Sequence, residues 1–257
     1  MAKQTLLILG GTGEARRLAA RLCAWGALRV VTSLAGRTST PKALQGEVRV
    51  GGFGGAEGLA RYLEGEGIDL MVDATHPFAA RMARNATEAA RLTGVPLITL
   101  MRAAWQPVAG DKWQTASGMA EAATLLGPEP RRVFLAIGRQ EVQAFRAAAQ
   151  HNYLVRSVEP VEPTHLPPNA HCILARGPFS EDDEIALLAD HRIDIVVAKN
   201  SGGAATYGKI AAARRLGLPV IMIDRPKPTG AAVVAGVDEA MAAIEAHLAA
   251  PLAERGA

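Results

Sequence analysis

Apolar positions along this chain follow two rhythms. Short continuous runs, such as Leu6-Leu7-Ile8-Leu9, alternate with longer stretches in which apolar residues recur every three or four positions. The first pattern is that of a buried strand, the second that of a helix with one apolar face. Residues 5–9 read as a strand, Gly10 to Gly13 as a turn, and 14–25 as a helix. In that helix Ala15, Leu18, Ala19 and Leu22 share one face, Arg16, Arg17 and Arg21 take the other, and Gly26 ends it. Strands at 28–32 and 48–50, a helix at 56–65, a strand at 68–74, a helix at 77–93 and a strand at 96–100 follow. Such alternation predicts an α/β fold, a parallel sheet with helices on both faces.

The pattern then repeats. Ile68-Asp69-Leu70-Met71-Val72 is matched by Ile193-Asp194-Ile195-Val196-Val197. The tail Arg91-Leu92-Thr93-Gly94-Val95-Pro96 is matched by Arg215-Leu216-Gly217-Leu218-Pro219, and each leads into a strand closed by an arginine, Arg102 or Arg225. The start at 6–10 is echoed at 133–138, followed by a helix expected at 141–149. The chain therefore divides into two α/β halves, joined near 103–117, with the boundary placed at 104: residues 1–104 and 105–257. Their strand ends are expected to face a central cleft, the place where α/β sheets bind ligands. Residues 105–113 fit no regular element, and 160–169, with four prolines, reads as irregular. A strand is expected at 172–175, and a helix at 237–250 covering the sheet.

Composition narrows the class. The chain has 257 residues, 49% hydrophobic and 21% charged, enough apolar content for a core. Two cysteines exclude a disulfide scaffold, and no apolar run approaches a membrane span. Residues 1–5 lead directly into a strand, so no signal peptide is expected and the reading is a cytoplasmic protein without a membrane partner. The 28 basic residues comprise 22 Arg and 6 Lys. Arg suits carboxylate and phosphate ligands, but Arg-rich composition also accompanies GC-rich genomes, so only arginines at strand ends carry weight. No basic cluster is interleaved with aromatics, which argues against nucleic acid.

The chemistry gathers at strand ends. Gly10-Gly11-Thr12-Gly13-Glu14 lies between a strand and a helix, the context of a dinucleotide-phosphate site. The match to the dinucleotide fingerprint is partial, since Arg16 stands where a third small residue belongs. NAD-binding proteins carry an acid about 20 residues further on. Here the stretch reads Thr32-Ser33-Leu34-Ala35-Gly36-Arg37, with hydroxyls and an arginine instead, which points to NADPH. Four glycines surround Phe53 at 51–55, with Gly52 taken as part of the cofactor rim. Thr75-His76-Pro77-Phe78 follows the strand at 68–74, where Thr75 or His76 caps a helix or His76 hydrogen-bonds or protonates a ligand. Lys199-Asn200-Ser201-Gly202-Gly203 and Ile137-Gly138-Arg139-Gln140 occupy the equivalent ends in the second half and suit anionic groups. No His or Cys spacing suggests a metal site. A methyltransferase would also begin with a glycine-rich strand-turn-helix, but would carry an acid after the second strand.

These segments, taken in order, resemble the precorrin-6A reductase family of cobalamin biosynthesis, nearly end to end. The resemblance rests on residues 7–15, 51–55, 73–79, 137–140 and 199–203, and the T-H-P-F-A and K-N-S-G-G pieces are its specific parts. It implies two Rossmann-like three-layer parallel-sheet domains. It implies NADPH-dependent reduction of the C18=C19 bond of precorrin-6A, a polycarboxylate tetrapyrrole, with hydride to C19 and a proton to C18. On this reading Gly10, Gly11, Thr12, Gly13, Glu14, Ser33, Arg37, Gly52, Thr75 and His76 hold the coenzyme. Phe78, Arg139, Lys199, Asn200, Ser201 and Gly202 meet the substrate, and His76 is the side-chain candidate for catalysis. The resemblance extends to the NADH-using cobalt-precorrin-6A reductases; a non-catalytic NADP-binding regulator is the reading from another class. The chain is expected to act as a monomer or in transient contact with neighbouring pathway enzymes.

Overall fold

In the computed structural model, which describes residues 3–36, 44–228 and 232–249, the chain divides into two units. The first begins with β1 (Gln4–Leu9), α1 (Gly13–Ala24), β2 (Leu28–Leu34), β3 (Glu47–Val50), α2 (Gly55–Gly65), β4 (Leu70–Asp73), α3 (Ala80–Thr93) and β5 (Leu97–Leu100). The second comprises β6 (Lys112–Ala116), α4 (Met119–Leu125), β7 (Arg132–Ala136), β8 (Asn152–Ser157), β9 (Ala170–Leu174), α5 (Glu181–Asp190), β10 (Ile195–Lys199), α6 (Gly208–Arg215) and β11 (Pro219–Ile223). The chain then returns to the first unit with β12 (Ala232–Val234) and α7 (Val237–Ala249).

The first sheet runs β12-β5-β4-β1-β2-β3, all parallel. β1 is central, so both of its faces are buried. Leu6 and Ile8 pack with Leu18 and Leu22 of α1 and Ile244 of α7, whereas Leu7 and Leu9 pack with Leu59 and Leu63 of α2 and Ala86 of α3. This two-sided burial explains the unbroken apolar run: a parallel strand covered on both faces has no polar side to alternate with. The second sheet runs β6-β11-β10-β7-β8-β9, also all parallel. Its core gathers Trp105, Phe134, Leu188, Val196 and Ile210.

The two sheets have the same strand order once β7–β11 are matched to β1–β5 and β6 to β12. The sequence repeat is thus a repeat of topology. It reaches single hydrogen bonds. Asp69 Oδ2 accepts the Thr5 N–H at 2.8 Å, and Asp194 Oδ2 accepts the Arg132 N–H at 2.7 Å, so the paired I-D motifs close the starts of β1 and β7 alike.

Several expectations need correction. The chain passes from the first unit to the second after Arg102 and returns at Pro226, so among the described residues 226–228 and 232–249 group with the first unit. β12 pairs with β5, and α7 packs Ala240, Met241 and Ile244 against the first core. The supposed joint at 103–117 contains β6, the edge strand of the second sheet. Each sixth strand therefore follows the fifth strand of the other sheet. The helix expected at 141–149 is a single 3₁₀ turn, Val142–Phe145, and α3 begins at Ala80, after a turn at 77–78 in which the Ala79 N–H donates to the His76 carbonyl at 2.7 Å. Among the described residues no helix is long and apolar enough to cross a membrane.

Candidate functional site

In the first unit the site is built on the carboxyl ends of β1, β2, β3 and β4. Gly10 leaves β1 with its N–H on the Ser33 carbonyl at 2.9 Å, so close to β2 that a Cβ would meet Thr32 Cγ2 at 2.9 Å. Gly11 follows at φ +113°, a conformation that only glycine adopts cheaply. Thr12 is the N-cap of α1. Its Oγ1 accepts the Ala15 N–H at 3.1 Å and donates to the Ala74 carbonyl at 2.8 Å, tying the helix start to the end of β4. Open space lies beside Gly11 and Gly13, where no atom comes within 4 Å of an added Cβ. A helix N-terminus with free N–H groups and room above small residues fits a dinucleotide pyrophosphate. Glu14, in the first turn, is engaged by Arg102 at 3.0 Å, so its negative charge is paired rather than left facing an anion.

Ser33 is buried at the end of β2. Arg37 lies outside the described residues. Gly52 contributes its carbonyl to Arg49 Nη2 at 2.8 Å. At the end of β4, Asp73 is buried and accepts two bonds from Thr75, from N–H at 3.0 Å and from Oγ1 at 2.7 Å. Burial raises the Asp73 carboxyl pKa, and the two Thr75 bonds oppose that rise. Thr75 is thus fixed by Asp73. His76 is exposed, and its Nδ1 accepts the Phe78 N–H at 3.3 Å, which leaves the proton of the neutral ring on Nε2. The ring centroids of His76 and Phe78 are 5.9 Å apart.

The second unit places its motifs at equivalent strand ends. Arg139 follows β7, one residue after Gly138. Lys199 ends β10 and pairs with Glu141 at 2.9 Å. Asn200 and Ser201 are buried. The Asn200 side chain holds the backbone of Trp105, with Oδ1 accepting the Trp105 N–H at 2.8 Å and Nδ2 donating to its carbonyl at 3.0 Å, so it positions the loop. Gly202 has φ +68°, and a Cβ there would lie 2.0 Å from the Ala103 carbonyl oxygen. Trp105 Nε1 adds a bond to the Gly203 carbonyl at 2.9 Å.

A model of the family described as Precorrin-6x reductase CbiJ/CobK matches residues 5–245. The chain belongs to this family. It is 55% identical to a precorrin-6A reductase from Sinorhizobium sp, over 98% of this chain and 96% of that protein. It is 30% identical to a cobalt-precorrin-6A reductase from Priestia megaterium, over 86% of this chain and 91% of that one. A solved structure described as CobK precorrin-6A reductase superposes with a TM-score of 0.90 at 47% identity, covering 97% of this chain and 99% of that one. The two all-parallel, six-stranded Rossmann-like sheets of this chain thus match the architecture of that structure.

Sequence reasoning missed Arg49, Asp73, Arg102 and Trp105. Asp73 lay inside the recognised T-H-P-F-A context, and Arg102 closed a matched tail, so both had a signal. Arg49 and Trp105 had none that spacing could supply, because their partners are set by sheet register and by the path of the chain out of β5.

Proposed function

We propose that this chain reduces the C18=C19 bond of precorrin-6A to give precorrin-6B, with NADPH as reductant, in cobalamin biosynthesis. The observation that carries the reading is full-length identity of 55% to a precorrin-6A reductase against 30% to a cobalt-precorrin-6A reductase, which favours the cobalt-free substrate. NADPH is favoured over NADH by the end of β2, where Ser33 stands in place of a ribose-binding acid.

When bound, the coenzyme supplies the hydride delivered to C19. The chain's own contribution is placement. Gly10 to Gly13 and the N-terminus of α1 would hold the pyrophosphate, Ser33 would meet the ribose, and Thr75, locked by Asp73, would set the rim of the nicotinamide site. Arg139, Lys199 and Ser201 engage substrate carboxylates, and Phe78 offers an apolar face to the macrocycle. Orientation of this kind supplies most of the rate enhancement. His76, protonated at Nε2, is the side chain assigned to deliver the proton to C18; an unchanged kcat in His76→Ala removes it from that role.

The test is consumption of reduced nicotinamide, followed by absorbance, with precorrin-6A and cobalt-precorrin-6A each offered NADPH and NADH. The expected result is turnover of precorrin-6A with NADPH well above the other three combinations. Preference for cobalt-precorrin-6A with NADH overturns the reading, and binding without turnover of either substrate supports a regulatory protein instead.

A further inference from the structure

The glycine-rich loop after β3 is folded around a cation. Arg49 Nη1 donates to the Gly51 carbonyl at 2.7 Å and lies 3.5 Å from Ser33 Oγ, and Nη2 donates to the Gly52 carbonyl at 2.8 Å. The guanidinium stands 3.9 Å from the centroid of Phe53 and 5.1 Å from that of Tyr62. The two rings support each other edge-on, 5.1 Å apart. The side chain is thus half-buried and held on three sides before any ligand arrives.

Its charge is nevertheless uncompensated. Among the described residues Arg49 forms no ion pair, and every oxygen it touches is neutral. The nearby carboxylates are committed elsewhere: Glu47 and Glu66 both grip Arg29, at 2.8 and 2.9 Å. A guanidinium carries five N–H donors, and three are used in the contacts above. Nε and Nη2 retain a donor each, and these are the two nitrogens with which Arg29 binds the Glu47 carboxylate bidentately. The position completes the argument. Ser33 and Arg49 are register partners across β2 and β3, and the Ser33 carbonyl receives the Gly10 N–H. The phosphate-binding turn, the buried serine and the arginine therefore stand in a row on three adjacent strand ends.

We propose that Arg49 is a specificity-determining residue for the coenzyme, binding the phosphate on the adenosine ribose, with Ser33 beside it and Phe53 behind it. This rests on the assignment of the first unit to NADPH. Two consequences follow from the preformed geometry. Discrimination between NADPH and NADH resides in a residue at the end of the third strand, and the Gly51–Gly55 loop serves to set that residue rather than to contact the coenzyme by itself.

The experiment is calorimetric titration of the full chain with 2′,5′-ADP and with 5′-AMP. 2′,5′-ADP and 5′-AMP differ only in the 2′-phosphate on the ribose. The wild type is expected to bind 2′,5′-ADP more tightly. Arg49→Gln is expected to weaken 2′,5′-ADP by about 10–100-fold, the range of a lost charge-assisted bond, and to leave 5′-AMP within a small factor. Arg49→Lys, which keeps the charge but not the fork, is expected to fall between. Should the Gln variant lower the melting temperature, the Lys variant carries the test. A wild-type preference that survives both substitutions overturns the role of Arg49 and leaves the NADPH reading standing. No preference in the wild type overturns the NADPH reading, and the role of Arg49 with it.

Discussion

The carboxamide of Asn200 closes on the peptide of Trp105 from both sides, accepting its N–H at 2.8 Å and donating to its carbonyl at 3.0 Å. Both ends of the amide are spent, in a buried setting, on a segment 95 residues away. Replacing Asn200 with Leu leaves two buried backbone groups of Trp105 without partners. Each costs about 1–3 kcal/mol, so a loss of roughly 2–6 kcal/mol is expected in urea unfolding. Asn200→Asp should be no milder, because a carboxylate accepts from the N–H but cannot donate to the carbonyl. An unfolding midpoint unchanged in both variants would contradict the positioning role.

Behind Trp105 lies a buried ionic group. Arg156 and Glu184 form a bidentate pair, with Nη2 to Oε2 at 3.1 Å, and the guanidinium lies 3.8 Å from the Phe179 centroid and 4.8 Å from that of Phe134. Removing one member of a buried pair strands the other charge. Glu184→Gln is therefore expected to cost about 3–5 kcal/mol. The paired change Arg156→Met with Glu184→Leu should cost much less, because no charge is left uncompensated. Thermal unfolding of both variants checks the ordering.

Lys209 gives this group a pH dependence. Its Nζ donates to the Thr206 carbonyl at 2.5 Å and lies 5.0 Å from the Trp105 ring. Burial first, and the facing Arg156 second, pull its pKa down from the ordinary lysine value to about 7, against the opposing pull of Glu184. The unfolded chain then binds a proton that the folded chain lacks between about pH 7 and the ordinary lysine pKa, about 10.4. Stability from this residue is fully present above the unfolded value and is lost as pH falls toward 7. Lys209→Met should flatten that slope and raise stability at neutral pH, by an amount of order a few kcal/mol. Unfolding free energies at pH 7 and 9.5 for wild type and variant measure it; parallel pH profiles would show that Lys209 keeps its proton.

What could be read along the chain was what local pattern encodes. The run Leu6–Leu9 showed a strand buried on both faces, and the paired I-D motifs at 69 and 194 showed the repeat, because each signal lies within a few residues. β6 and β12 escaped for a physical reason. Both are edge strands, and β6 (Lys-Trp-Gln-Thr-Ala) buries only Ala116, so no apolar run marks it. The helix expected at 141–149 had helical composition, but only Val142, Phe145 and Ala148 find cover there, and Arg146 turns out to the Thr164 carbonyl. The candidate site divides the same way. The Gly10–Glu14 turn is a local signature, whereas Arg49 sits in a strand reading Glu-Val-Arg-Val and looks like any solvent-facing arginine. Its meaning comes from the register that sets it opposite Ser33. The hold of Asn200 on the Trp105 backbone could not be read either, because nothing local pairs two residues so far apart.

Gly13 separates folding from coenzyme binding more cleanly than any other glycine of the turn. It opens α1, its φ lies outside the left-handed region, and no atom comes within 4 Å of an added Cβ. Alanine there costs the protein nothing in sterics and favours the helix by about 0.5–1 kcal/mol, so Gly13→Ala should melt at the same temperature or slightly higher. The new methyl group would occupy the open space beside the N–H groups of α1, where the proposed function puts the coenzyme pyrophosphate. The Michaelis constant for NADPH should therefore rise by about tenfold or more, with little change in kcat at saturating coenzyme. Gly11→Ala makes the contrast, since φ +113° penalises any side chain and should lower stability as well. If Gly13→Ala binds NADPH like the wild type, the coenzyme does not lie over the start of α1, and the open space there belongs to something else.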